Sequence, residues 1–283
     1  HYAEFVGLFL AAGAVGFRYS SLRALARADD EHDRRIQNDA GVRAAVIGLF
    51  GAVITAALLA YDLPGLAERR HTTVAALVTT TFLPAAQVAL AILAIAGFAL
   101  AAGRRRVGWG IAAVGVVAGQ LRGALVGRWL QLINPMHVLA AGLWIGTLFV
   151  LVAAGIGAVL RDEPARERRG RLVADMVNAF SPLALGASGV LVLFGVITAW
   201  RHLKWLAALW TTPYGFALLA KLALVAIVFS LGAWNWKRQR PQLGTESAAV
   251  VLRRSATMEL IAAAVVLAAT AILVSLPSPR LPH

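Results

Sequence analysis

The chain has 283 residues, 59% hydrophobic and only 14% charged, with a mean hydropathy of +0.72, where soluble domains carry about 45–50% apolar and about 25% charged residues; an ordinary soluble domain is excluded. The net charge of +13 comes from basic residues scattered through short loops, not from one basic face, which argues against a nucleic-acid partner. Cysteine is absent, and with it disulfides, iron–sulfur clusters and thiolate metal sites.

The apolar residues fall into eight blocks, at 2–20, 42–61, 74–101, 107–126, 135–160, 179–200, 213–236 and 256–276. A helix needs about twenty residues to cross a bilayer, whereas barrel strands alternate polar and apolar over about ten. The expected fold is therefore all-α, a polytopic membrane bundle of eight transmembrane helices. The sequence begins at His1 with no visible signal peptide, as a processed chain or a piece of a longer one would. Arg18 cuts the first block short, and the charged, amphipathic stretch 21–43 that follows reads as a loop. Pro84 is expected to kink the third helix unless that helix starts later than the block does. Gln87 and Gln120, polar and intramembrane, are expected to hydrogen-bond between helices. Asn134-Pro135, Ser181-Pro182 and Thr212-Pro213 each resemble a helix start, with a capping side chain and proline in the first turn. "RHLKWLAALWTTP", residues 201 to 213, reads as a short helix lying on the membrane surface.

Loop charges orient the array. The loops after blocks one, three, five and seven hold most of the 27 Lys and Arg residues, including Arg18, Arg23, Arg34, Arg35, Arg104 to Arg106, and Arg166, Arg168, Arg169 and Arg171. Cytoplasmic loops accumulate such residues, so both termini are expected outside the cytoplasm, and with them the mouth of the fifth helix. Trp129, Trp200, Trp205 and Trp210 then all fall on the outer side, as an aromatic belt would.

Among the histidines only His137 is expected within a transmembrane segment; His32 and His71 fall in loops and His202 at the outer end of helix six. One such histidine cannot hold a b-type haem by paired imidazoles, and no haem is expected, although His/Met ligation is left open by the residues. Thioether and imidazole in a cysteine-free site favour copper, so Met136, His137 and His202 are the candidate metal ligands. The plain alternatives are that His137 bonds a neighbouring carbonyl and His202 rests at the interface. His137, Ala140, Ala141 and Trp144 share one helix face at α-helical spacing, leaving room beside Trp144. Lys221 falls about 12 Å below the outer mouth of helix seven, where a charge has to face the bundle interior or a wet cavity, or else snorkel. Tyr214, Lys221 and Asn235 share its stripe, and Glu4 is a candidate partner for the lysine. Glu259 opens helix eight, where the helix dipole favours a carboxylate; it could also act as an inner-side ligand. No phosphate loop, nucleophile elbow or zinc helix is present, and no enzyme is expected.

"MHVLAAGLWIGTLFVL" resembles the His-x-x-Ala-x-x-x-Trp-x-Gly helix of the CopD family of bacterial copper-resistance and copper-uptake membrane proteins. "LWTTPYGFALLAKLALVAIVFSLGAWNW" is similar to the family's Thr-x-Tyr-Gly-x-x-Leu-x-x-Lys helix, and "MELIAAAVVLAATAILVSLPSP" to its closing helix with Glu259. The resemblance covers about residues 134–279, dividing the chain into an N-terminal four-helix half, 1–133, and a CopD-like half, 134–283, within one membrane unit. It implies a copper ion moved across the bacterial cytoplasmic (inner) membrane, with Trp144, Tyr214, Lys221 and Glu259 along the path and a periplasmic or fused copper-binding domain of the CopC type as partner. Many relatives carry Gly-His where this chain has Gly119-Gln120. That departure keeps a rival reading open, an accessory subunit of a larger membrane complex that has kept the fold and lost the metal. A haem- or quinone-handling protein is a third.

Overall fold

The computed structural model describes residues 2–25, 31–162, 168–203 and 207–239, and every element among them is helical. The expected eighth helix at 256–276, with Glu259, lies outside the described residues, as do Trp205 and the basic residues of the loop before that helix from 240 onward. Six helical stretches among the described residues are long and apolar enough to cross a membrane: Ala3–Leu25, Asp33–Arg69, Phe82–Ala102, Val107–Val126, Trp129–Arg161 and Arg169–Arg201. A shorter apolar stretch, Pro213–Ile227, covers part of the expected seventh. The chain is a multi-pass membrane protein.

The elements begin with α1 (Tyr2–Tyr19), α2 (Ser21–Leu25) and α3 (Glu31–Arg69). The expected loop at 21–43 is thus corrected, because most of its described part is helix. Apolar periodicity misses such a segment, whose helix is stitched instead by opposite charges one turn apart: Arg35 to Glu31 at 2.6 Å and Arg43 to Asp39 at 2.8 Å. With 39 residues, α3 is about 58 Å long at the α-helical rise, well beyond the ~30 Å hydrocarbon core.

The third block divides into α4 (Val74–Thr80) and α5 (Phe82–Ala102). Thr81 between them is extended, with φ −112° and ψ 116°, so Pro84 falls in the first turn of α5, where its missing N–H costs nothing. The later start applies, not the kink. α5 and α6 (Val107–Leu121) form a tight antiparallel hairpin of small residues. A Cβ on Gly97 would strike the backbone of Ala112, one on Gly108 that of Ala101, and one on Gly115 that of Ala94. Lipid tails are as apolar as leucine, so helices in a membrane associate through such close backbone packing rather than through the hydrophobic effect.

The fifth span consists of α7 (Ile133–Ala141), α8 (Thr147–Val150) and α9 (Gly157–Arg161), joined by two π-helical turns, Gly142–Gly146 and Leu151–Ile156. Asn134 is not its cap, since α7 starts one residue earlier behind the 3-10 turn Trp129–Leu132. α10 (Arg169–Leu203) begins well before Ser181-Pro182, so that expected start is also corrected. Pro182 lies inside the helix, and the Ser181 hydroxyl donates to Val177 O at 2.9 Å. Thr212-Pro213 behaves as read. Thr212 is extended, and its hydroxyl accepts from Gly215 N at 3.0 Å while donating to Ala208 O at 2.7 Å. It separates α11 (Ala208–Thr211) from α12 (Pro213–Gln239).

The centre of the bundle is the crossing of α1 with the fifth span, the two most enclosed of the six stretches. Gly13 and Gly146 meet there backbone to backbone. A Cβ on Gly146 would collide with Phe9 O, and one on Gly13 with the Gly146 carbonyl. Phe17, Val150, Leu151, Ala154, Ile156 and Met176 pack around this crossing, each nearly or wholly buried.

Candidate functional site

His137 sits one turn into α7, half-buried, and its ring turns toward α10 rather than toward lipid. Nδ1 lies 2.9 Å from Leu191 O. A carbonyl only accepts, so Nδ1 carries the proton and the imidazole lone pair lies on Nε2. Space for the ring comes from Gly195, where a Cβ would stand 2.9 Å from His137 Cε1. Leu191 and Gly195 stand one turn apart on α10, so the helix presents a narrow notch to His137 of α7. A backbone carbonyl that fixes the tautomer of an imidazole is a common second partner of metal-ligating histidines. The same bond also satisfies the ring as a purely structural contact.

The other candidate residues are distributed around this notch. Met136 is half-buried beside His137, but consecutive residues of a helix point about 100° apart, so the two do not form a chelate by themselves. His202 lies near the end of α10, two turns beyond Gly195, or about 10 Å along the axis; its side chain lies outside the described residues, as does that of Lys221. At that level Arg201 donates to Leu130 O at 3.2 Å, linking the end of α10 to the start of the fifth span. Trp129, Trp200 and Trp210 are 67%, 70% and 58% exposed, as residues of an interfacial belt are. Trp144 occupies the first π turn, half-buried. The shared face with His137 was expected from α-helical spacing, from which the wider turn departs. π turns of this kind occur often at functional sites. Tyr214 is buried at the start of α12 in a small cluster with Ala208 and Leu218, separate from the main core.

A second polar feature lies on the other side of the bundle. Gln87 and Gln120 do not bond helix to helix as expected. Among the described residues both instead line one cavity of about 60 Å³, with Thr55, Leu8, Ala52 and Gly115. That volume admits water, and an amide without a partner is costly at this depth. Gln120 therefore belongs to the α1–α3–α5–α6 cavity and not to the notch of His137. No group of three or more His, Cys, Asp or Glu side chains suited to a metal occurs among the described residues.

Sequence reasoning missed Leu191 and Gly195. A carbonyl leaves no trace in sequence, and Gly195 is one of many glycines in apolar helices.

Residues 174–273 match the family described as CopD, Copper resistance protein D. The copper transport protein CutJ of Bacillus subtilis (strain 168) is 30% identical over 151 residues, 53% of this chain. Over its C-terminal part this chain is similar to the CopD family. The chain spans about a quarter of the length of CutJ, since the match covers 26% of that protein. No solved structure matches the chain. The CopD region begins early in α10 and contains Leu191, Gly195, His202, Tyr214, Lys221 and Glu259; His137 precedes it on the facing helix.

Proposed function

We propose that this chain carries a copper ion across the bacterial cytoplasmic membrane, with His137 as the ligand at the mouth of the path. The observation that carries the reading is the Nδ1–Leu191 carbonyl bond, which leaves the lone pair of an intramembrane imidazole on Nε2, on a helix packed against the CopD region. Copper enters at the outer surface near His202, is taken by Nε2 of His137 with Met136 close by, and continues past Trp144 toward Tyr214, Lys221 and Glu259. Thioether and imidazole together suit Cu(I). In this reading the eight helices form one unit from the halves 1–133 and 134–283, with both termini outside, and a soluble or fused domain of the CopC type delivers the metal. The test is copper accumulation by cells expressing the chain. His137→Ala is expected to reduce it to the level of cells without the chain, with unchanged amounts of protein in the membrane; undiminished uptake would reject the assignment.

One observation favours a second reading, an accessory subunit of a larger membrane complex. Gln120 lines its cavity with an amide where relatives hold an imidazole. Purification in fixed stoichiometry with other membrane subunits, and without copper, is the outcome that would select it.

A further inference from the structure

Where α1 reaches its end, three guanidinium groups gather, with no carboxylate among them in the described residues. Arg18, on the last turn of α1, is half-buried, with Cζ 6.0 Å from the ring centroid of Trp109. Trp109 is itself held edge-on against Phe98, centroids 6.1 Å apart at 85°. The Nε of Arg18 is shielded from solvent and has no hydrogen-bond partner. Arg23, on α2, and Arg106, the residue before α6, both lie close enough to act on the charge of Arg18. The remaining group that acts on it is Tyr19, whose ring lies 5.1 Å from Arg23 Cζ.

Arg35, Arg43 and Arg168 each face a carboxylate within the protein, those of Glu31, Asp39 and Asp33. Among the described residues no carboxylate pairs with Arg18, Arg23 or Arg106. They come from three elements, two of them are exposed, and Tyr19 beside them is 40% exposed, so the cluster opens outward at the end of two membrane spans. Three like charges and a shielded, unused N–H at one point call for an anion with several acceptor oxygens, which the guanidinium fork matches. We propose that Arg18, Arg23 and Arg106, framed by Trp109 and Tyr19, bind a phosphate oxyanion at the membrane interface. Two sources share this chemistry, the headgroup of an anionic phospholipid and free phosphate. The site is independent of the copper reading.

The test uses the full chain purified in neutral detergent, with native mass spectrometry and the thermal unfolding midpoint as readouts. Phosphatidylglycerol is expected to remain bound and to raise the midpoint, while phosphatidylcholine at the same concentration does neither. Because Arg18 is packed on Trp109, the two exposed residues carry the mutational arm. Arg23→Gln and Arg106→Gln are each expected to weaken phosphatidylglycerol binding about fivefold, whereas Arg70→Gln, the same loss of charge just after α3, leaves it unchanged. Inorganic phosphate matching the effect of phosphatidylglycerol supports the site with free phosphate as its ligand; phosphatidylglycerol acting alone supports it with the lipid headgroup. Equal responses to phosphatidylglycerol and phosphatidylcholine, or equal loss in Arg70→Gln, overturn the proposal.

Discussion

At the scale of single residues, the notch around His137 depends on what is missing from α10 as much as on the imidazole. Gly195 leaves the space that the ring occupies, so a larger residue there displaces His137 without touching its chemistry. Gly195→Val is expected to lower copper accumulation as far as His137→Ala does. Gly189→Val, on the same helix with nothing within 4 Å, is expected to leave accumulation unchanged, and uptake assays on the three variants check the pattern. That His137 could bond a neighbouring carbonyl was legible in the sequence, as one reading of an imidazole in an apolar helix. Which carbonyl was not, since the acceptor is a main-chain oxygen whose position follows from how two helices cross. Gln87 and Gln120 illustrate the same limit. Their polarity marks them, but which cavity they share is decided by packing between helices far apart in sequence.

At the scale of elements, the sequence reading succeeded where apolar length decides and failed where charge or glycine does. The six spans coincide with expected blocks because a bilayer imposes length on any helix crossing it. The polar beginnings of α3 and α10 escaped, since an apolar pattern has no term for helix beyond the membrane, continued in α3 by ion pairs. Glycine contacts escaped as well. Gly13 and Gly146 look no different in sequence from Gly186, yet a Cβ on Gly146 would meet the backbone of Phe9, and one on Gly186 would meet nothing within 4 Å. Gly146→Ala is accordingly expected to destabilise the bundle by about 1–3 kcal/mol, the usual cost of overpacking. Gly186→Ala is expected to be neutral or to stabilise by up to about 1 kcal/mol through helix propensity. Reversible denaturation in mixed detergent micelles measures both.

At the scale of the whole molecule, the absence of cysteine makes the orientation directly testable. A cysteine introduced at Arg70, after α3, is expected to react in intact cells with a membrane-impermeant maleimide. One at Arg105, between α5 and α6, is expected to react only after the cells are opened. The reverse pattern would invert the bundle and turn the mouth of the His137 notch to the cytoplasm, ending the uptake reading while leaving the helical architecture intact.

The π turns of the fifth span give the centre of this bundle a tolerance that its other helices lack. Each turn accommodates one residue more than an α-helical ladder requires. Losing a residue within 142–146 or 151–156 lets the backbone close into ordinary α-helix, with the segments above and below still facing their old neighbours. The same loss in the α5–α6 hairpin would swing everything past it by about 100°. Slack in chain length is thus stored in the span that meets α1, between His137 and the opposite face of the membrane.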